Sequence, residues 1–174
     1  MEQFVQMQRS EEAEKLSQEL GYEKILFQDS NWVLLSGKNK RDILQRINEC
    51  KQKKKYAVYL AVDEETLRFV LEKTAVDMII GMEQICPKDS VHHLRGGLDE
   101  VLCKIAQENE KAFAFSFCDI LHSSNRPQLL GRMKFNLKLA RKYGLKIVFG
   151  SFAKELLEFR SSQDLEAWSR ILSR

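Results

Sequence analysis

Short apolar runs alternate with amphipathic helical patterns along most of this 174-residue chain. The apolar runs are continuous and do not alternate with polar residues, which is typical of parallel strands covered by helices on both faces. Six or seven strand-then-helix units follow one another at intervals of roughly 20–30 residues, as right-handed crossover connections require. The predicted strands cover residues 4–7, 24–27, 32–35, 56–62, 77–81, 112–118 and 145–149.

Capping residues mark the ends of several predicted helices. Ser10 and Asp63 stand where N-caps are expected, and Gly21 follows the first helical pattern as a stop signal. Gly96-Gly97 is interpreted as a turn before a helix, with an anion-binding turn as the alternative. The pattern fits either an open doubly wound sheet or a TIM-barrel-like parallel barrel, which at this length would be compact or incomplete. The predicted helices cover residues 10–20, 38–50, 64–73, 98–109, 128–143 and 163–172.

Composition excludes several classes of protein. Apolar residues make up 44% of the chain and charged residues 30%, which is ordinary for one soluble globular domain, expected to cover residues 1–174. No apolar run reaches the length of a membrane span, so a cytoplasmic location is expected. The four cysteines form no C-x-x-C pair, which argues against a structural zinc site and against a disulfide scaffold. Cys103 and Cys118 are interpreted as buried, inert thiols.

Positive charge is concentrated between residues 126 and 146, where no acidic residue occurs. Because the whole chain has a formal net charge of only +3, the remainder is net acidic. Such segregation favours an anionic partner, and helical spacing places several of the cations on one face, where a phosphate backbone would neutralise them. The alternative is a solvated face whose last cations stabilise the helix dipole. The basic residues are Arg126, Arg132, Lys134, Lys138, Arg141, Lys142 and Lys146.

A second basic segment runs from residue 38 to residue 55 and ends in a lysine-rich loop. A lysine cluster in a loop is often only a solvated surface, but two basic segments in one chain favour a nucleic-acid partner. No aromatic residues are interleaved as they are in proteins that stack single-stranded bases, which favours contacts to the phosphate backbone over base readout. The lysines singled out here are Lys53, Lys54 and Lys55.

Acidic residues that follow predicted strands raise an enzymatic alternative. Asp63, Glu83 and Asp119 would lie at the carboxyl ends of parallel strands and could hold Mg²⁺ or Mn²⁺ for phosphoester hydrolysis, as in a barrel-type phosphoesterase. The simpler interpretation is that Asp63 is a helix cap and the others are loop residues. The three histidines show neither H-x-H nor H-x-x-x-H spacing, which weakens the metal hypothesis. A third possibility is a protein-interaction module whose basic helix docks on an acidic partner.

Six short motifs occur in order in the second half of the chain. They are Val76-Asp77-Met78-Ile79-Ile80, Gly97-Leu98-x-x-Val101-Leu102-x-Lys104-Ile105-Ala106, Phe115-Ser116-Phe117, Arg126, Val148-Phe149-x-Ser151-x-Ala153 and Arg160-x-x-x-Asp164-Leu165. In this order and spacing, over about residues 70–168, the chain resembles the archaeal ribonuclease P protein component 3 family and its eukaryotic counterparts.

The resemblance implies a TIM-barrel-like fold related to metal-dependent phosphoesterases that has lost their metal-binding histidines. Gln6-x-Gln8 stands in the place of the His-x-His of those enzymes. It implies a non-catalytic, RNA-binding subunit of ribonuclease P, the ribonucleoprotein that removes the 5′ leader from precursor tRNA. The RNA subunit performs the Mg²⁺-dependent cleavage, so no cofactor is expected on this chain. The implied partners are ribonuclease P RNA and other protein subunits, one of which forms a direct pair with this chain.

By position, the functional basic residues of the family fall on Arg126 and Arg160, and further on Lys104 and Arg95. The acidic Asp119 stands near a position where the family has an arginine, and a carboxylate there would repel phosphate. The full set of predicted RNA-binding residues is Arg126, Arg132, Lys134, Lys138, Arg141, Lys142, Arg160, Lys104, Arg95, Lys53, Lys54 and Lys55.

Overall fold

The computed structural model describes residues 2–89 and 95–173, which form seven parallel strands and seven helices. Two short 3-10 turns, Met82–Gln84 and Leu156–Glu158, follow the fifth and seventh strands. The strands are β1 (Glu2–Val5), β2 (Lys24–Phe27), β3 (Trp32–Leu35), β4 (Tyr56–Leu60), β5 (Met78–Ile80), β6 (Ala112–Ser116) and β7 (Lys146–Gly150). The helices are α1 (Glu11–Glu19), α2 (Lys40–Gln52), α3 (Glu64–Lys73), α4 (Glu100–Glu108), α5 (Phe117–His122), α6 (Arg126–Lys142) and α7 (Ser162–Leu172).

The strands follow one another in chain order around a ring. β1 pairs with β2, and β3 to β7 form a second parallel sheet. Isolated bridges join the two sheets, one between Gln28 and Trp32 and one between Val5 and Ala153. The backbone N–H of Phe152 donates to the Phe4 carbonyl at 3.0 Å. The predicted TIM-barrel-like α/β class is therefore confirmed, with seven strands in the described residues.

Ring closure is uneven along the strands. The segment just after β7 pairs with β1, whereas the first half of β7 is separated from β1 by a slot of about 360 Å³. Phe4, Ile147 and Phe149 line this slot, and Leu165 of α7 borders it. The barrel is accordingly compact and open on one side near the amino ends of β1 and β7.

Aromatic side chains fill the interior of the ring. Phe4 stacks on Phe152 with ring centroids 5.7 Å apart, and Trp32 meets Phe152 edge-on at 5.9 Å. The indole N–H of Trp32 donates to the Leu26 carbonyl at 3.0 Å, so this buried polar group has a hydrogen-bond partner. The interior cluster consists of Phe4, Leu26, Trp32, Val58, Met78, Ile80, Ala112, Ala114 and Phe152.

The alternate residues of the strands face outward and pack under the helices. Ile79 of β5 and Phe113 of β6 are fully buried in this larger, outer core, together with Met133 and Leu137 of α6. Both faces of the strands are therefore apolar, as the continuous apolar runs predict. No helix in the described ranges is long and apolar enough to cross a lipid bilayer.

Side-chain caps explain where several elements begin. The Ser10 and Asp63 side chains accept from the N–H groups of Ala13 and Thr66, as predicted for N-caps. The predicted strand over residues 112–118 is too long, because Ser116 ends β6 and its hydroxyl accepts from the N–H of Asp119 at 3.1 Å. This cap starts α5, a helix that the apolar pattern does not predict.

The Gly96-Gly97 pair forms a tight turn before α4, as interpreted from the sequence. Gly97 has a φ of +81°, and a Cβ at this position would stand 2.0 Å from the carbonyl oxygen of Met82. The Gly96 carbonyl accepts from the Asn136 side chain at 2.6 Å. Close backbone packing, which only glycine allows, therefore accounts for Gly97.

Gly97→Ala is expected to lower the free energy of unfolding by at least about 2 kcal/mol, because it combines left-handed strain with a clash against backbone. Gly131→Ala is the matched control. Gly131 lies within α6 with no atom within 4 Å of the added Cβ, so alanine there should raise stability by about 0.5–1 kcal/mol. Urea unfolding of the two variants measures the difference, and equal stabilities would contradict the close packing.

Candidate nucleic-acid interface

α6 presents a basic face to solvent. The helix begins after Asn125, whose side chain accepts from the N–H of Gln128, and its apolar residues pack onto the outer core. Lys134, Lys138 and Arg141 lie four and three residues apart on the opposite side and are exposed. We call these three residues the α6 basic face.

The α6 basic face is not neutralised by the fold. Within residues 2–89 and 95–173, none of its three side chains has a hydrogen-bond or ion-pair partner. Lys142 differs, because its ammonium donates to Glu100 of α4 at 2.6 Å, and this contact raises the pKa of Lys142. Both partners of that pair are well exposed, so it contributes little stability.

Arg132, also predicted to contact phosphate, is an interior residue. Its guanidinium forms an ion pair with Asp89 at 2.9 Å and donates to the carbonyl oxygens of Glu83 and Cys86. The side chain is only 6% exposed. The predicted phosphate contact at Arg132 is therefore wrong, because this arginine holds the segment after β5 against α6.

The two arginines that the resemblance singles out are partly used by the fold. Arg126 donates to the carbonyl oxygens of Ile120 and Leu121 at the end of α5, although the residue is exposed. The half-buried Arg160 lies over the Phe117 ring at 5.2 Å and donates to the Phe159 carbonyl at 2.6 Å. Both arginines therefore stabilise loops at the carboxyl ends of the strands. Each guanidinium has five N–H donors, so some remain available to a partner.

Lys104 and Arg95 lie next to α6 or near it. Lys104 is exposed one turn beyond Glu100 on α4, and Glu100 in turn pairs with Lys142 of α6. Arg95 is exposed and borders a separate cleft with a volume of about 470 Å³, which also contains the carboxylate of Asp99.

The lysine cluster occupies a different part of the perimeter. Lys53 caps the end of α2, Lys54 adopts a left-handed φ of +54°, and the Lys55 ammonium donates to the Asp29 carbonyl. α2 packs on β3 and β4, whereas α6 packs on β7 and on helices α4, α5 and α7. The structure therefore brings together Lys134, Lys138 and Arg141, with Lys104 nearby, but does not join them to the lysine cluster.

The carboxylates of the enzymatic alternative serve different purposes. Asp63 accepts from the N–H of Thr66, which together with Lys38 lowers its pKa, as expected for a cap. Glu83 is completely buried, and neither of its carboxylate oxygens has a hydrogen-bond partner in the described part of the chain. Burial raises the pKa of Glu83 to about 8 and also raises the pKa of Asp119, which accepts from Gln84.

These carboxylates do not assemble a metal centre. Across the described ranges, the one group of three potential metal ligands that lie within 4.8 Å of one another is Cys118, His122 and Glu158. Cys118 is buried as predicted, but it is not an isolated thiol, since it donates to Glu158 at 3.2 Å. The signal available in the sequence was the Cys118-x-x-x-His122 spacing on one helix face. His92 and His93 lie outside the described residues.

Arg132→Ala is expected to lower the free energy of unfolding by about 2–4 kcal/mol, because it removes a buried guanidinium that pairs with the partly exposed Asp89 and leaves the carbonyl oxygens of Glu83 and Cys86 without their donor. Lys134→Ala, two residues away on the exposed face, should change it by less than about 0.5 kcal/mol. Denaturant titrations compare the two. Equal effects would contradict the division between an interior arginine and a surface lysine.

Glu83→Gln is expected to remove a pH dependence of stability. Folding raises the pKa of Glu83 from 4.5 to about 8, so its contribution to stability is fully present below about pH 4.5 and is lost as the pH rises toward 8. The variant should therefore gain stability relative to the parent between pH 5 and pH 8, by up to about 1.4 kcal/mol per pH unit. Glu108→Gln, at an exposed position on α4, is the control and should show the same dependence of stability on pH as the parent. If Glu83→Gln also showed the same dependence as the parent, the burial argument would be contradicted.

Fold and site together define the class of protein: a barrel-like α/β chain with unneutralised cations on an outer helix. Among solved structures, a Xaa-Pro dipeptidase shares this fold with a TM-score of 0.53 and 13% identity, over 88% of this chain and 40% of the dipeptidase. A chain in the cryo-EM structure of archaeal ribonuclease P with mature tRNA superposes over all of this chain and 83% of its own length. Its TM-score is 0.86 at 18% identity, which shows the fold.

The curated sequence relatives share one name. No family model matches the chain. Ribonuclease P protein component 3 of Methanococcus maripaludis strain C7 is 28% identical over 148 residues, which cover 84% of this chain and 61% of the relative. The Methanosarcina acetivorans protein of the same name is 39% identical over 77 residues, or 43% of this chain and 32% of the relative. The predicted resemblance to the ribonuclease P protein component 3 family is thereby confirmed, and the chain spans less than two thirds of these relatives.

Proposed function

We propose that this chain is an RNA-binding protein subunit of ribonuclease P that supports removal of the 5′ leader from precursor tRNA. The observation that carries the proposal is the sequence similarity to ribonuclease P protein component 3 from Methanococcus and Methanosarcina. The partners in this proposal are ribonuclease P RNA and other protein subunits of the complex, one of them paired directly with this chain. The cellular location that follows is the cytoplasm.

Charge on α6 supports an RNA contact. From Lys134 to Arg141 the helix rises by about 10 Å, so the α6 basic face can meet more than one phosphate group of a structured RNA. Release of counterions from the RNA drives such binding, and the cations need no partner from the protein itself. Lysines and an arginine without base-reading neighbours suit recognition of backbone and shape.

The arrangement of carboxylates supports a non-catalytic role. Asp63 caps α3, Glu83 is buried with a raised pKa, and Asp119 is bonded to Gln84. A phosphoesterase would need such groups to share divalent cations in an open site. In this proposal the cleavage chemistry, with its Mg²⁺, belongs to the RNA subunit.

Reconstitution tests the proposal. The chain is added to ribonuclease P RNA and the remaining protein subunits at limiting Mg²⁺, and cleavage of precursor tRNA is measured. We expect the chain to raise the rate of 5′ cleavage. The double variant Lys134→Glu/Lys138→Glu should reduce this stimulation at least tenfold, because reversed charges repel phosphate.

The matched control is Lys15→Glu/Lys73→Glu, which makes the same change in net charge at exposed positions on α1 and α3. It should stimulate cleavage as the parent does. No stimulation by the parent chain would refute the proposed function. An equal loss of stimulation in both double variants would refute the assignment of RNA binding to α6. If Lys134→Glu/Lys138→Glu bound RNA normally but no longer paired with its protein partner, the α6 basic face would instead contact an acidic protein. Phosphoester hydrolysis by the chain alone that Asp63→Asn abolishes would favour the enzymatic alternative.

A further inference from the structure

We propose that Cys118, His122 and Glu158 form a binding site for a thiophilic divalent metal ion, for which Zn²⁺ is the best fit. The site is independent of the proposed function and departs from the expectation that this chain binds no cofactor. It lies beyond the carboxyl ends of β6 and β7, where α5 meets the 3-10 turn Leu156–Glu158.

The three ligand atoms already converge. Cys118 and His122 stand four residues apart on α5, so both side chains project from one face of the helix toward Glu158. The Cys118 thiol donates to Glu158 Oε2 at 3.2 Å, the other carboxylate oxygen contacts His122 Nε2, and all three ligand atoms lie within 4.8 Å of one another. Zinc bonds of about 2.0–2.3 Å place tetrahedral ligands roughly 3.3–3.6 Å apart, so small side-chain movements are enough to admit an ion.

The chemistry of the donors selects the kind of metal. A thiolate and an imidazole prefer zinc and similar transition metals to Mg²⁺ or Ca²⁺, and one carboxylate completes a three-residue set that leaves a fourth position for water. Thiolate and carboxylate together balance the two charges of the ion. Binding releases the Cys118 thiol proton to solvent, and the imidazole binds through Nε2 while carrying its proton on Nδ1.

Neighbouring groups orient the ligands and set their charge. The backbone N–H of Lys154 donates to Glu158 at 2.7 Å and fixes the carboxylate, as outer-shell groups do at metal sites. The Cys118 thiol donates its proton to Glu158 in the ion-free site and gives it up when a metal binds. Lys154 adds a positive charge near the thiol, which Asp119 offsets.

The exposure of the ligands shows how an ion would reach the site, and their positions show which elements it would link. The His122 side chain is 58% exposed while Glu158 is buried, so an ion reaches the site from the His122 side. The ion would join α5 to the segment after β7, two residues before Arg160, whose guanidinium lies over the Phe117 ring of the same helix. Its expected effect is an added link between α5 and the 3-10 turn Leu156–Glu158.

Titration of the full, reduced chain with Co²⁺ alone tests the site, since cobalt bound to a thiolate shows a charge-transfer band in the near ultraviolet. We expect a band that saturates at one equivalent, and displacement of cobalt by Zn²⁺. His122→Ala should weaken zinc affinity at least tenfold in a chelator competition, and its exposure allows the variant to fold. Cys118→Ser should abolish the band.

Two controls make the result specific. Cys50→Ser changes another buried cysteine, on α2, and should leave the band unchanged. His92→Ala/His93→Ala removes the remaining histidines of the sequence and should also leave it unchanged. Absence of the band in the parent chain, its persistence in Cys118→Ser, its loss in the double histidine variant, or less than a tenfold effect of His122→Ala would each overturn the proposal.

Discussion

The fold depends on the short segment after β7 that closes the ring of strands. Its central residue, Phe152, has a left-handed φ of +49°, a conformation that costs a non-glycine residue about 1–3 kcal/mol. Local contacts compensate for this cost: the Phe152 N–H donates to the Phe4 carbonyl of β1, and inside the barrel the Phe152 ring stacks on Phe4 and meets Trp32 edge-on. The carbonyl of the preceding Ser151 accepts from the N–H of Cys118, so closure of the ring also sets where α5 begins.

Three arginines of this chain are used by the fold. Arg132, Arg126 and Arg160 each donate to two or more backbone carbonyl oxygens. A guanidinium offers five donors in a rigid fork and is well suited to this, whereas an ammonium is a compact, strongly hydrated charge. Lys134, Lys138 and Arg141, by contrast, remain exposed to solvent. A count of basic residues therefore overstates the charge that is available to a partner.

Much of the fold follows from local signals. The bounds of β2, β3 and α3 are those expected from the apolar runs and from the Asp63 cap. α5 is missed because Phe117 and Cys118 continue the apolar run of β6, and one hydroxyl, that of Ser116, decides the change to helix. The periodicity of apolar residues does not predict ring closure either, because residues near 4 and 152 must pair although almost the whole sequence separates them.

The candidate sites show where local reasoning fails. Helical spacing places Lys134 and Lys138 correctly on an exposed face, because burial within one helix follows its apolar stripe. The same spacing cannot reveal that Arg132 meets Asp89, because the two are 43 residues apart and the pairing depends on how the segment after β5 folds onto α6. Cys118 and Glu158 are separated by 40 residues in the same way. Sites that combine loops at the ends of different strands thus depend on closure of the ring. Only residues of such a site that share one helix can be predicted from their spacing in the sequence, as for Cys118 and His122.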